Sequence, residues 1–149
     1  MPTQIVPHLW QGSQPIEGTA VSKAGYRVLV LCADEYQPPM DRFVGLEDVI
    51  YAPNDDGFRP FSPLQKVTAQ MAAGRVADYI RQGKNVLVTC MQGRNRSGLV
   101  TALALHNLYG WGGTRCVDHV QSRRANALTN DEFTRYLRSI PAKQFARTG

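Results

Sequence analysis

Val88-Thr-Cys-Met-Gln-Gly-Arg-Asn-Arg-Ser-Gly98 decides the reading of this chain. It follows the apolar run Asn85-Val-Leu-Val-Thr89, which predicts a short strand at the centre of a sheet. Behind it come Leu99, Val100, Ala102, Leu103, Ala104 and Leu105, apolar nearly all round, which predicts a buried helix from Ser97 to about Tyr109. A cysteine therefore stands at the end of a central strand, with a tight turn between it and a helix. A turn of this length can curl so that successive backbone N–H groups point inward and form a nest for an anion at the helix N-terminus. Gly93 allows a conformation or a close approach that a Cβ would hinder. Arg96 can clamp two oxygens of a phosphate. The same nest and helix end favour a thiolate at Cys90, a nucleophile at neutral pH.

Working outward, Tyr26-Arg-Val-Leu-Val-Leu-Cys32 predicts a strand, Ile5 to Gln11 a weaker one, and Val49-Ile-Tyr51 a third that Pro53 and Asn-Asp-Asp-Gly bring to a stop. Ser62-Pro63-Leu64-Gln65 has the form of a capping box with proline at the first helical position. Ala69, Ala73, Val76, Ala77 and Ile80 then share one helical face, and Gln82-Gly83 ends it. Gly110-Trp-Gly-Gly113 breaks the chain before a helix over about 114–124. The last helix is expected to begin at Thr129, with Thr129 and Glu132 as its capping box and Phe133, Tyr136, Leu137 and Ile140 on its buried side. Strands followed by strand–turn–helix and further helices predict an α/β fold: a small, central, mostly parallel twisted sheet flanked by helices. With 149 residues and neither repeat nor linker, residues 1–149 read as a single domain.

Charge is unevenly placed. Residues 1–56 carry eight acids and three bases, whereas 57–149 carry fourteen bases and four acids. The basic part suits anionic partners such as phosphates, nucleic acid or acidic peptide, or is simply a solvated surface. Hydrophobic residues make up 43% of the chain, as in globular proteins. No apolar run approaches the roughly 20 residues of a membrane span, so no stable membrane insertion is expected. The opening residues lack the layout of a secretion signal. Three cysteines (Cys32, Cys90, Cys116) form no disulfide framework, and the expected setting is cytoplasmic. Cys116 and His119 fall short of a metal site, so neither metal nor cofactor is called for. Trp10 and Trp111 read as packing residues.

The segment Cys90 to Ser97 resembles the Cys-x5-Arg-Ser/Thr loop of the cysteine-dependent protein tyrosine phosphatase superfamily, and the small, atypical dual-specificity branch most of all. Ile5-Val-Pro-His-Leu-Trp-Gln-Gly-Ser13 is similar to the opening strand of that branch, and Asn54-Asp-Asp-Gly-Phe-Arg-Pro-Phe61 to its general-acid loop. The resemblance implies a dual-specificity-phosphatase-like fold and hydrolysis of phosphate monoesters through a cysteinyl-phosphate. In it Cys90 is the nucleophile, Arg96 holds the phosphoryl oxygens, Ser97 donates to the Cys90 sulfur, and Met91, Gln92, Gly93, Arg94 and Asn95 bind substrate through the loop. Asp55, six residues before the apolar Phe61, is the implied acid, with Asp56 as its competitor.

Two positions depart from the family pattern. Thr89 stands where the family has histidine, so a hydroxyl can support the loop but brings no cation. Arg94 adds positive charge within the loop, facing either the pocket or solvent. Arg123 and Arg124 lie where relatives carry a rim arginine, and equally suit a helix C-terminus. The short chain leaves little to build pocket walls, which favours phosphorylated protein or peptide substrates carrying phosphotyrosine and phosphoserine or phosphothreonine. An RNA 5′ end or an inositol lipid is the alternative, since Asn95 before the arginine is also found in RNA 5′-triphosphatases. A phosphate-binding module without catalysis is the third reading. Oligomeric state is not readable from the chain.

Overall fold

The computed structural model describes residues 1–57 and 61–144. Five strands form one sheet: β1 (Thr3–Val6), β2 (Leu9–Gly12), β3 (Val28–Ala33), β4 (Asp48–Asn54) and β5 (Val86–Thr89). Their order is β1-β2-β5-β3-β4, with β1 antiparallel to β2 and every other pairing parallel. The last strand in sequence is thus the middle one in space, as its uninterrupted apolar run requires. Helices α1 (Ala20–Lys23), α2 (Pro63–Arg81), α3 (Arg96–Tyr109), α4 (Gly113–Arg123) and α5 (Asp131–Arg138) complete the chain.

The sheet's two faces are unequally covered. On one, Val28, Val30, Cys32, Val86 and Val88 pack against residues of α2 to α5, forming the large core. On the other, Leu29, Leu31, Val49 and Leu87 meet only Val21 of α1, Phe43 and their neighbours. Helix α3 sits in the larger layer with ten consecutive buried residues, Arg96 to Leu105. Each buried leucine there stabilises the fold by roughly 1.5–3 kcal/mol. Gly113 opens α4 so near α5 that a Cβ would lie 1.4 Å from the Leu137 carbonyl oxygen. Only glycine lets those helices approach so closely.

Three local expectations change. The stretch Ile5–Gln11 is two strands, because Pro7 offers no N–H and His8 turns at φ 70°. Pro53 does not stop β4; this is an edge strand, where a missing donor costs no ladder bond. Helix α5 is capped by Asn130, whose side chain accepts from the Phe133 N–H, and not by Thr129. The Thr129 hydroxyl is instead engaged with Asn95. The Ser62–Gln65 capping box forms as expected.

Candidate active site

The turn from β5 into α3 is shaped from outside. The Met91 carbonyl accepts from the Gln14 N–H at 3.3 Å, and the Arg94 carbonyl from the Leu128 N–H at 3.1 Å. Gly93 O accepts from the Gln11 side-chain amide at 3.0 Å and from Arg124 Nε at 2.6 Å. Arg124 Nη2 reaches Gln92 O at 3.5 Å. Four successive carbonyls therefore face away from the turn. In a trans peptide the N–H points opposite to its carbonyl, so the amides of Gln92, Gly93, Arg94 and Asn95 face inward. Inward amides are the geometry an anion nest requires, and external donors set it. Gly93 adopts φ 67°, and a Cβ there would lie 2.5 Å from Arg124 Nη2 and from the Gly12 carbonyl carbon.

Inside the turn, Cys90 Sγ lies 3.2 Å from Ser97 Oγ, and both residues are buried. Arg96 enters from the first turn of α3, 9% exposed in its side chain. Its Nη1 and Nη2 donate to the two Glu35 carboxylate oxygens, both at 2.7 Å. Nη1 also reaches Asp34 Oδ1 at 3.2 Å and Asn54 O at 3.3 Å. The Nε–H is buried without a partner among the described residues. Glu35 thus grips the end of the guanidinium and leaves its side edge, Nε with the second hydrogen of Nη2, for another bidentate acceptor. Burial works against the arginine's charge, and the Glu35 pair more than restores it. Arg96 in turn holds the Glu35 carboxyl down to about 2, while hydrogen bonding to Glu35 raises Asp34.

A cleft of about 200 Å³ opens over the turn, lined by Cys90 and the loop side chains Met91, Gln92, Arg94, Asn95 and Arg96, with Glu35 and Asp56 opposite. Arg94 faces this cleft and has no ion-pair partner among the described residues. Asp56 is held by two amides: Asn95 Nδ2 at 3.1 Å and Asn130 Nδ2 at 2.7 Å. Asp55 does not line the cleft; its Oδ1 accepts from the Gly57 N–H at 2.9 Å. Phe58 to Pro60 of the same segment lie outside the described residues.

Thr89 donates to the Val30 carbonyl at 2.7 Å, tying β5 to β3, so its hydroxyl is spent on the sheet. Arg124 is a strut behind the loop, while Arg123 donates to Gln4 O on β1. Three contributors were not singled out in the sequence: Gln11, Glu35 and Asn130. Gln11 is a polar residue at the end of a strand candidate, and the Asp34-Glu35 pair follows a predicted strand, whose C-terminal end is where α/β sheets place their ligands. Those were the available signals.

A loop of inward amides around a buried thiol and an arginine, at the C-terminal end of a central parallel strand, defines a cysteine-based phosphatase. The sequence model of the dual specificity phosphatase catalytic domain matches residues 62–142, more than half of the chain, and the protein belongs to that family. A mouse putative dual specificity phosphatase, solved with zinc tungstate, superimposes with a TM-score of 0.76 at 26% identity, covering 91% of this chain and 83% of its own. Human DUSP28 gives 0.75 at 23% identity, with 91% and 89% covered. A human tyrosine phosphatase-like serine/threonine/tyrosine-interacting protein gives 0.72 at 19%, with 91% and 92% covered. Among curated proteins, none matches the sequence.

Proposed function

We propose that this phosphatase hydrolyses phosphate monoesters of proteins, on tyrosine and on serine or threonine, through a cysteinyl-phosphate. The observation that carries the reading is the buried Arg96 Nε, without a partner among the described residues, at the end of a loop whose amides face inward and which begins at the buried Cys90. A phosphoryl group supplies what that edge lacks: two oxygens in plane for Nε and Nη2, with the rest for the amides.

In the first step the Cys90 thiolate attacks phosphorus in line, the bond to the leaving oxygen breaks, and Asp55 gives that oxygen a proton. In the second, water attacks the same phosphorus, Asp55 takes its proton, and the phosphorus–sulfur bond breaks with its electron pair returning to Cys90. Ser97 donates to the departing sulfur. Asp55 suits the acid role because its Oδ1 is anchored by Gly57 while Oδ2 has no partner among the described residues. Its charge also acts on Asp34, which touches Arg96.

Charge at the mouth supports a protein substrate over a polyphosphate. Asn95, Arg94 and the basic C-terminal part suit RNA or inositol lipid as the alternative, yet the fold brings acids of the N-terminal third to the site. Glu35 and Asp56 line the cleft against Arg94 and Arg96, with Asp34 paired to Arg96 and Asp55 close enough to act on Asp34. An isolated phosphate ester on a peptide meets less repulsion there than a 5′-triphosphate or a multiply phosphorylated inositol. The test is phosphate release near pH 6.5 from phosphotyrosine peptide, phosphothreonine peptide, a phosphoinositide and 5′-triphosphorylated RNA, with Cys90→Ser as blank. Faster Cys90-dependent release from the peptides is expected. Preference for RNA or lipid would overturn the substrate assignment, and no Cys90-dependent release from any of them would overturn the mechanism.

A further inference from the structure

Of the adjacent aspartates Asp55 and Asp56, Asp56 lines the cleft and Asp55 stands next to it in the chain, and their hydrogen bonds differ in kind. Both Asp56 oxygens are committed to side-chain amides, Oδ2 to Asn95 and Oδ1 to Asn130. Asn95 belongs to the phosphate loop and Asn130 is the N-cap of α5. The two asparagines are themselves joined, since Asn95 Oδ1 accepts from the Asn130 backbone N–H at 2.9 Å and from the Thr129 hydroxyl at 3.4 Å. Asn130 Oδ1 in turn accepts from the Phe133 N–H at 3.1 Å. The result is a closed set of contacts joining three segments distant in sequence: the acid loop, the phosphate loop and the start of α5.

We infer that Asp56 is a latch rather than the proton donor, and that Asn95 and Asn130 are positioning residues which dock the acid loop on the phosphate loop so that Asp55 can serve as the acid. The inference rests on the phosphatase reading above. A carboxyl group that protonates a leaving oxygen must turn an O–H toward it. Each Asp56 oxygen has a second lone pair, but a proton placed on either one weakens its acceptance from the amide that holds it and so loosens the loop at the moment it is needed. Asp55 has one oxygen held and the other without a partner among the described residues, so it can give and take a proton without losing its anchor. Asn95 immediately precedes Arg96, so the contact that holds Asp56 is made next to the phosphate clamp. Among the described residues, the other charged or titratable groups around the pair are Asp34 and Glu35 just after β3, and Arg94, Arg96 and Cys90 from the phosphate loop.

An exchange of partners tests this directly. Asp56→Asn places an amide against the Asn130 amide and should lower kcat on a phosphoserine peptide about 10- to 100-fold, as expected for a misplaced acid. It should do so with smaller effect on an aryl phosphate and with the alkaline fall of the pH–rate profile retained. Adding Asn130→Asp restores a donor–acceptor pair with its direction reversed and keeps a good N-cap. The double variant should return to within a few-fold of the parent, although residue 56 then has no proton to give. If the double variant stays as slow as Asp56→Asn and its alkaline fall has vanished, Asp56 is the acid and the inference is wrong.

Thermal unfolding supplies a readout independent of turnover. Each single change should lower the melting temperature by roughly 2–6 °C, and the exchange should recover most of it. Strictly additive losses would overturn the latch. Absence of Cys90-dependent turnover in the parent would defeat the phosphatase reading instead, while the melting cycle still decides the contact.

Discussion

Behind the phosphate loop and in front of it, the protein uses opposite chemistry. Behind, Gln11, Gln14, Leu128 and Arg124 present donors to four backbone carbonyls. In front, Asp34 and Glu35 present acceptors to one guanidinium. The rear contacts fix where the amide dipoles point, and they hold whether or not an anion is bound. The front contacts hold a single side chain that must also serve the substrate. The rear therefore sets geometry and the front sets orientation of a charge, and substitutions on the two sides should fail differently.

The largest effect removes what both sides serve. Cys90→Ser should lower turnover by at least about 10⁴-fold while still binding phosphate, because nest and clamp are untouched. Phosphate binding by calorimetry checks the second half: loss of binding together with turnover would mean the thiol helps to build the site. Arg96→Lys should come next, with a loss of roughly 10²–10³-fold in kcat, since an ammonium cannot present two parallel donors.

Arg124→Met breaks the rear. Its guanidinium donates to Gly93 O, Gln11 O at 3.1 Å and Met1 O at 2.9 Å, and those carbonyls would lose a charged donor. We expect destabilisation of about 1.5–3 kcal/mol by urea unfolding. The accompanying loss in kcat/KM should be the same for aryl and alkyl phosphates, since the nest touches phosphate and not the leaving group. A leaving-group-dependent loss would place Arg124 at the front after all.

Glu35→Gln breaks the front with less force. Expected is a few-fold weaker binding of phosphate or vanadate, because Arg96 loses the partner that orients it. The folded-state value of Glu35, about 2, lies below its unfolded value of about 4.3. The ion pair is therefore complete above about pH 4 and is lost as pH falls toward 2. The stability difference between parent and Glu35→Gln should be constant from pH 5 to 8 and shrink between pH 4 and 2, as urea titrations would show. The Glu35 side chain is 47% exposed, so solvent screens the pair and the difference should be small.

The same contrast explains what could be read from the sequence. The phosphate loop, its strand and its helix are contiguous, so Cys90, Arg96, Ser97 and the order of elements were legible from residues 85–105 alone. The core face of α2 and the capping box at Ser62 were legible because helical periodicity is local. What was hidden depends on contacts across long sequence separations. Gln11 reaches Gly93 over 82 residues, Glu35 reaches Arg96 over 61, and Asn130 reaches Asp56 over 74. A polar residue at such a position looks like any other until the sheet order is known. Charge has the same limit: a sum over the basic C-terminal part cannot show that Glu35 and Asp56 fold onto the cleft. The capping signal at Thr129 and Glu132 was outcompeted, because Thr129 faces Asn95 and Asn130 supplies the cap.

Thr89 tests the boundary between the two sides, and its effect should be the smallest. It directly precedes the nucleophile, yet its hydroxyl donates to Val30 O at 2.7 Å within the sheet. Thr89→Val keeps shape and removes that donor, leaving a buried carbonyl that β3–β5 pairing alone must satisfy. The expected cost is about 1–2 kcal/mol in stability, with kcat changed no more than about threefold. A larger kinetic loss with an unchanged melting temperature would mean that the hydroxyl acts on the Cys90 sulfur. Thr89→His offers the complementary variant. The buried site beneath the loop has room for a threonine, so an imidazole there should destabilise by more than the valine does. If instead it folds normally and raises kcat, the support of the thiolate is limited by charge, and the threonine marks a site in which the nest amides, the helix end and Arg96 carry that task without an imidazolium at position 89.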